Sequence, residues 1–252
     1  MYTIKNYIFY LLVFIFCISN LNASSNINLN KITINLENTQ SLQRGAKVFF
    51  DQCQGCHGLK YMRYSDLAIG LKLNEQKDKG LEQLIKEKFM HSIDGINDNN
   101  YILSPMYKEN AIKWFGKIPP DLSLISRYKG TNWLFTYMKS FYKDPARPFG
   151  VNNLLFPDVG MPHILLKYQG IQILKHDQHS DKIEDLLELI ENGELSEDEY
   201  NAMITDLATF LSYIGEPIQV ERKNIGTFVL IFLIILTIVL YMLKKEFWSD
   251  IK

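Results

Sequence analysis

Two apolar runs bracket the chain. Residues 7–18 form an apolar core behind a single early charge, Lys5, and residues 225–243 carry no charge. Between them, apolar positions recur every three or four residues in several stretches, which predicts a mainly α-helical body. Over 41–52, Leu42, Ala46, Phe49 and Phe50 fall at helical spacing. Ser41 or Thr39 can cap that helix, and Gly45 leaves room for a second helix to come close. A further helix is expected around 81–89, and an aromatic-rich one over 132–142, ended by Asp144-Pro145. The final helix of the body, 196–214, starts with Ser196 and Glu199 in capping-box relation and stops at Gly215 and Pro217. Met203, Leu207, Phe210, Leu211 and Ile214 give it a core stripe.

The segments between these helices read differently. Residues 24–39 alternate short apolar positions with Asn and Ser, as an extended surface arm would. Residues 94–100 form a polar loop with no assignable chemistry. Pro119-Pro120 force an extended stretch, after which Asp121 or Ser123 can open a short helix. A loop dense in Pro, Gly and Asn covers 148–163. The polar run 176–200 is acidic, and its spacing favours a solvated amphipathic helix over a docking face for a basic partner.

The two terminal runs set the location. The first reads as a secretory signal peptide cleaved after Ala23, although Leu21 is larger than the usual residue there; an uncleaved anchor is the alternative. The second is long enough, at about 1.5 Å per residue, to span a hydrocarbon core of about 30 Å. Arg222 and Lys223 before it, and Lys244 and Lys245 after it, nearly balance, so the export signal orients it. The expected organisation is a signal peptide (1–23), an exported domain (24–220), a transmembrane anchor (225–243) and a cytoplasmic tail (244–252). The leader lacks the Arg- and Ser-rich character of a transit peptide. The expected home is therefore a bacterial inner membrane, with the domain on the periplasmic side. Lys and Arg number 27 against 28 Asp and Glu, which gives no basic footprint for nucleic acid.

Chemistry enters at Cys53-Gln54-Gly55-Cys56-His57. The chain has three cysteines, one of them, Cys17, in the leader. Two thiols two residues apart, with histidine next, form the attachment pattern of c-type haem. The thiols add to the two porphyrin vinyl groups, and His57 then stands where an imidazole nitrogen can ligate iron. A dithiol redox pair, half of a zinc site and coincidence are the competing explanations; the surroundings show no βαβ pattern and no second thiol pair. A carbonyl of the extended 119–120 segment can accept the second ring N–H of His57. Arg127 and Lys129 can pair with haem propionates or be solvated surface charges.

The far axial position has several candidates. Met62 is too near His57 in sequence, Met138 and Met203 fall on helices, and His176 and His179 lie in a polar stretch. Met90, His91 and Met106 flank a loop and stay open. Met161, stiffened between Gly160 and Pro162, is favoured, with His163 as a competitor. Methionine–histidine ligation raises a haem's reduction potential and fills both axial positions, which favours electron transfer over substrate chemistry.

Leu42-Gln43-Arg44-Gly45-Ala46, Cys53 through Tyr64, Trp114-Phe115-Gly116, Pro119-Pro120-Asp121-Leu122-Ser123, the stretch from Phe156 to His163, and the tail anchor with Trp248 occur in an order that resembles the cytochrome c1 family, in its proteobacterial form. The resemblance implies a cytochrome c-like, haem-wrapping helical domain with insertions plus one C-terminal transmembrane helix, its first and last helices (41–52 and 197–214) crossing. It also implies one covalent haem c on Cys53 and Cys56, with His57 and Met161 as iron ligands. Arg127 falls on the family's basic position, whereas Lys129 stands where arginine is more frequent and lacks its bidentate fork. The implied role is an electron-transfer subunit of ubiquinol–cytochrome c reductase, beside cytochrome b, passing electrons from the Rieske iron–sulfur protein to a cytochrome c. A membrane-tethered c-type cytochrome feeding a terminal oxidase is the alternative.

Overall fold

A computed structural model of the chain describes residues 28–73, 99–175, 180 and 182–249. The leader, the helix expected around 81–89, most of the 94–100 loop, and Met90, His91, His176 and His179 lie outside the described residues. In chain order the elements are α1 (Thr39–Val48), a π-helical turn (Phe49–Cys53), β1 (Leu59–Arg63), α2 (Tyr64–Gly70), β2 (Tyr101–Ile102), α3 (Lys108–Phe115), α4 (Ile125–Lys129), α5 (Thr131–Lys139), β3 (Phe141–Lys143), β4 (Val151–Asn153), α6 (Leu166–Gln169), β5 (Gly170–Leu174), α7 (Ile183–Leu186), β6 (Leu187–Asn192), α8 (Glu197–Gly215) and α9 (Gln219–Phe247).

The crossing of α1 and α8 organises the core. Gly45 makes it possible: a Cβ there would run into the Asp206 carbonyl of α8. Beside that contact the Arg44 guanidinium grips the Asp206 carboxylate, Nε at 2.6 Å from one oxygen and Nη2 at 3.0 Å from the other. The Ser41 hydroxyl donates to the same carboxylate at 2.6 Å. Phe49 meets Phe210 across the crossing at 5.7 Å between centroids. Leu42, Ala46, Leu207 and Leu211 complete the buried seam, and Leu59, Leu67, Leu71 and Ile102 extend it. Asn38, rather than Ser41 or Thr39, caps α1, its side chain accepting from Ser41 N. The Ser196–Glu199 capping box opens α8 as expected.

Three antiparallel two-stranded ribbons depart from the helical reading. The aromatic-rich helix stops at Lys139, and Phe141–Lys143 turn into a hairpin with Val151–Asn153. The acidic run is not one amphipathic helix. After the single turn of α7 it pairs as β6 with β5, Leu187 opposite Leu174 and Asn192 opposite Gly170. A strand partner lying just upstream, with Leu174 opposite Leu187, satisfies that backbone, and charge spacing within the run does not register such a partner. The arm before α1 is extended as expected and tied to α5: Asn30 N donates to Thr136 Oγ1 at 2.9 Å and Ile32 N to Asn132 Oδ1 at 3.0 Å.

α9 stands apart. It is 29 residues long, apolar enough to cross a membrane, and none of its residues is buried by the rest of the chain. An apolar helix with no protein cover has its driving force in lipid.

Candidate functional site

α1 does not end as an ordinary helix. Its last turn widens into the π-helical turn Phe49–Cys53, closed by Gln54 N donating to the Phe49 carbonyl at 2.9 Å. Such local widening is frequent at functional sites. Two tighter bonds follow on the Cys53 carbonyl, from Cys56 N at 3.0 Å and His57 N at 2.9 Å. The motif is thus wound back on itself, and all three of its chemical side chains reach one cavity.

Two segments clasp that turn. On one side Gln54 Nε2 donates to the Leu103 carbonyl at 3.0 Å and the Ser104 hydroxyl to the Gly55 carbonyl at 3.3 Å. On the other, Leu122 N donates to the Gly58 carbonyl at 2.9 Å. The Asp121 carboxylate accepts from Lys60 N at 2.8 Å and Ser123 N at 3.0 Å. This pins the Pro119-Pro120 stretch against the motif and brings the Pro120 carbonyl to 2.7 Å from His57 Nδ1. A carbonyl oxygen only accepts, so Nδ1 carries the proton and Nε2 keeps its lone pair. Burial lowers the His57 pKa, an effect that the Pro120 bond and the Asp121 charge partly oppose. The imidazole is therefore held neutral and in one tautomer, as metal-ligating histidines are.

The cavity has a volume of about 680 Å³ and is walled mainly by apolar groups. Leu134, Trp133, Tyr137 and Met138 come from α5, Leu211 from α8, and Val159, Met161 and Ile164 from the loop after β4. Cys53, Cys56 and His57 line the same cavity as Met161. Met62 is buried in the core, and Met106 and Met203 do not line the cavity; Met138 does. His163 points elsewhere: its ring stacks on Phe141 at 4.6 Å with 3° between planes. Met161 Sδ receives the Tyr137 hydroxyl at 3.5 Å. Burial pushes the Tyr137 phenol well above its ordinary value, so that hydroxyl stays protonated.

Neither thiol is in a disulfide. Burial, with Cys56 alongside, raises the Cys53 thiol to about 12, and burial raises Cys56 too. This is the reverse of the thiolate-stabilising surroundings of a dithiol redox pair. Among the described residues no cluster of three or more His, Cys, Asp or Glu side chains could hold a metal ion. Two free thiols, a neutral imidazole with its lone pair available and a thioether around an apolar chamber do fit a covalent haem.

Arg127 is not brought to the cavity. It is exposed, lies beside Gly215, and acts on the Glu216 carboxyl. α4 turns that side of the chain toward the end of α8, and the cations that line the cavity are Lys60, Lys117 and Lys129. Sequence reasoning missed Asn152 and Asn153, both buried. Asn153 Nδ2 donates to the Tyr137 carbonyl at 2.8 Å, and its Oδ1 accepts from Leu155 N at 2.9 Å and Phe156 N at 3.1 Å. Asn152 Oδ1 accepts from Asp158 N at 2.9 Å. The pair starts the loop that carries Met161; an Asn-Asn doublet in a Pro- and Gly-rich loop was the available signal.

Residues 30–251 match the model of the Cytochrome C1 family. A protein called cytochrome c1 from Allochromatium vinosum is 43% identical over 228 residues, 89% of this chain and 90% of that protein. One called ammonia monooxygenase gamma subunit, from Nitrosomonas europaea, is 37% identical over 226 residues, 89% of each. A cytochrome c1 from Rhodospirillum rubrum is 28% identical over 232 residues, covering 84% of this chain and 82% of its own length.

Proposed function

The chain belongs to the cytochrome c1 family, and from that premise we propose that its cavity holds one covalent haem c through which the protein passes single electrons within a ubiquinol–cytochrome c reductase complex. The observation that carries this reading is the meeting of Cys53, Cys56, His57 and Met161 on one apolar cavity, although Met161 lies more than a hundred residues from the motif. Bound there, the haem supplies a one-electron iron couple.

The chain's own residues do the rest. Cys53 and Cys56 tether the group, and the wound-back turn fixes their spacing. His57 presents Nε2 because the Pro120 carbonyl holds Nδ1–H. Met161 would hold the group together with His57, from a loop that Asn153 ties to α5. A group held by both His57 and Met161 would be closed to exchangeable ligands, which suits electron passage. The apolar walls keep water out, which limits the reorganisation that accompanies a change of charge. Lys60, Lys117 and Lys129 are the cations placed to face anionic substituents, in place of the Arg127 expected from sequence.

The donor is the Rieske iron–sulfur protein, the acceptor a cytochrome c, and cytochrome b sits beside α9. The haem domain faces the periplasm, and 1–23 is the export signal. A redox titration of the purified full chain with a reduced-state spectrum, a covalent haem stain and identification of co-purifying subunits tests this. Covalent haem, a closed site that does not bind carbon monoxide, and recovery with cytochrome b are expected. Recovery with oxidase subunits and no cytochrome b overturns the assignment.

A further inference from the structure

The loop that carries Met161 is tied to α5 at Tyr137 twice, through the carbonyl by Asn153 and through the hydroxyl at the thioether. Tyr137 Oη lies 3.5 Å from Met161 Sδ. We propose that the Tyr137 hydroxyl is a positioning residue that sets the reduction potential by donating a hydrogen bond to the Met161 sulfur. This rests on the reading of Met161 as an iron ligand and goes beyond it.

The geometry leaves the hydroxyl little choice. Its ring lies flat against Trp133, 4.9 Å between centroids and 12° between planes. Phe141 packs edge-on to it at 5.2 Å and 72°. The Tyr137 carbonyl is held by Asn153 Nδ2, and Asn153 Oδ1 receives the N–H groups of Leu155 and Phe156 at the start of the ligand loop. One buried amide therefore fixes the backbone that bears the donor and the loop that bears the acceptor. Tyr137 is itself 8% exposed, so water does not compete for the bond.

A thioether sulfur has two lone pairs and accepts hydrogen bonds weakly. With one lone pair given to a metal, the other can take the phenol. The positive end of the O–H dipole then points at a ligand of the iron. That disfavours the oxidised state, which carries one more positive charge, and the effect is larger in an apolar cavity than in water. The bond also selects one orientation of the thioether, which a freely rotating methionine would not keep.

The test is made on the full haem-loaded chain. Tyr137→Phe keeps the ring and both of its packing partners and removes only the donor. It should lower the midpoint potential and shift, without abolishing, the sulfur-to-iron charge-transfer band of the oxidised protein. Site-specific 3-fluorotyrosine at 137 keeps the hydroxyl and makes it a stronger donor, so the potential should move the other way. This second variant serves also if Tyr137→Phe does not accumulate. An unchanged potential in both, or shifts of the same sign, overturns the role of Tyr137 while leaving Met161 as ligand. Absence of the charge-transfer band from the unsubstituted protein overturns the ligand reading instead.

Discussion

At the scale of single residues, the site is a set of side chains each made competent by one neighbour. His57 depends on the Pro120 carbonyl, Met161 on its loop, and the loop on Asn153. Met161→Leu should retain covalent haem, because Cys53, Cys56 and His57 are untouched, but lower the potential and abolish turnover. An unchanged potential in a redox titration would point to another ligand, and Met138 also stands on the cavity wall. Asn153→Ala leaves the Tyr137 carbonyl and two part-buried N–H groups without their partner, which costs roughly 1–3 kcal/mol. Denaturant unfolding should show that loss, together with heterogeneous haem ligation. The cysteines and His57 were legible because their spacing is itself the chemistry. Arg127 stands exposed beside Gly215 and off the cavity wall, because the direction in which a side chain leaves a short helix depends on what the helix packs against.

At the scale of elements, the α1–α8 crossing is the joint to break. Gly45→Ala places a methyl group on backbone atoms of Asp206 that cannot rotate away, so the helices must part. Overpacking of this kind costs about 1–3 kcal/mol, and the midpoint of thermal unfolding should fall accordingly. The start of α8 gives a pH-dependent prediction. Bonds from the Ser196 hydroxyl and then the Ser196 backbone N–H hold the Glu199 carboxyl below its ordinary value of 4.5. A depressed folded value means that the contribution is present above the unfolded pKa and lost as pH falls through the folded one. The difference in unfolding temperature between the unsubstituted chain and Glu199→Gln should therefore be present at neutral pH and vanish in acid below 4.5. The capping box and the Gly45 approach could be read from sequence because both are local or nearly so. The β5–β6 ribbon could not: Glu184, Asp185, Glu188 and Glu191 recur at helical spacing, yet Leu187 faces Leu174 across a ladder.

At the scale of the whole molecule, a packed body joins an apolar helix none of whose residues is buried. Phe247 and Trp248 at the far end of α9 are exposed, where aromatic side chains suit a membrane interface. Ending the chain after Ile218 should release the domain into the soluble fraction with covalent haem in place, as fractionation and a haem stain would show. A truncated chain that stays in membranes would place the attachment elsewhere. The sequence by itself determined what local chemistry can specify: two thiols and an imidazole at fixed spacing, a capped terminal helix, and an apolar run too long and too bare to be core. The tertiary structure alone decided that Met138 and Met161 both reach the cavity, that Tyr137 meets the second of them, which cations line that cavity, and that an acidic stretch becomes a ribbon. Those outcomes depend on contacts between residues tens to more than a hundred positions apart. Such contacts are fixed by packing and by finding partners for most buried polar groups, not by the order of neighbours along the chain.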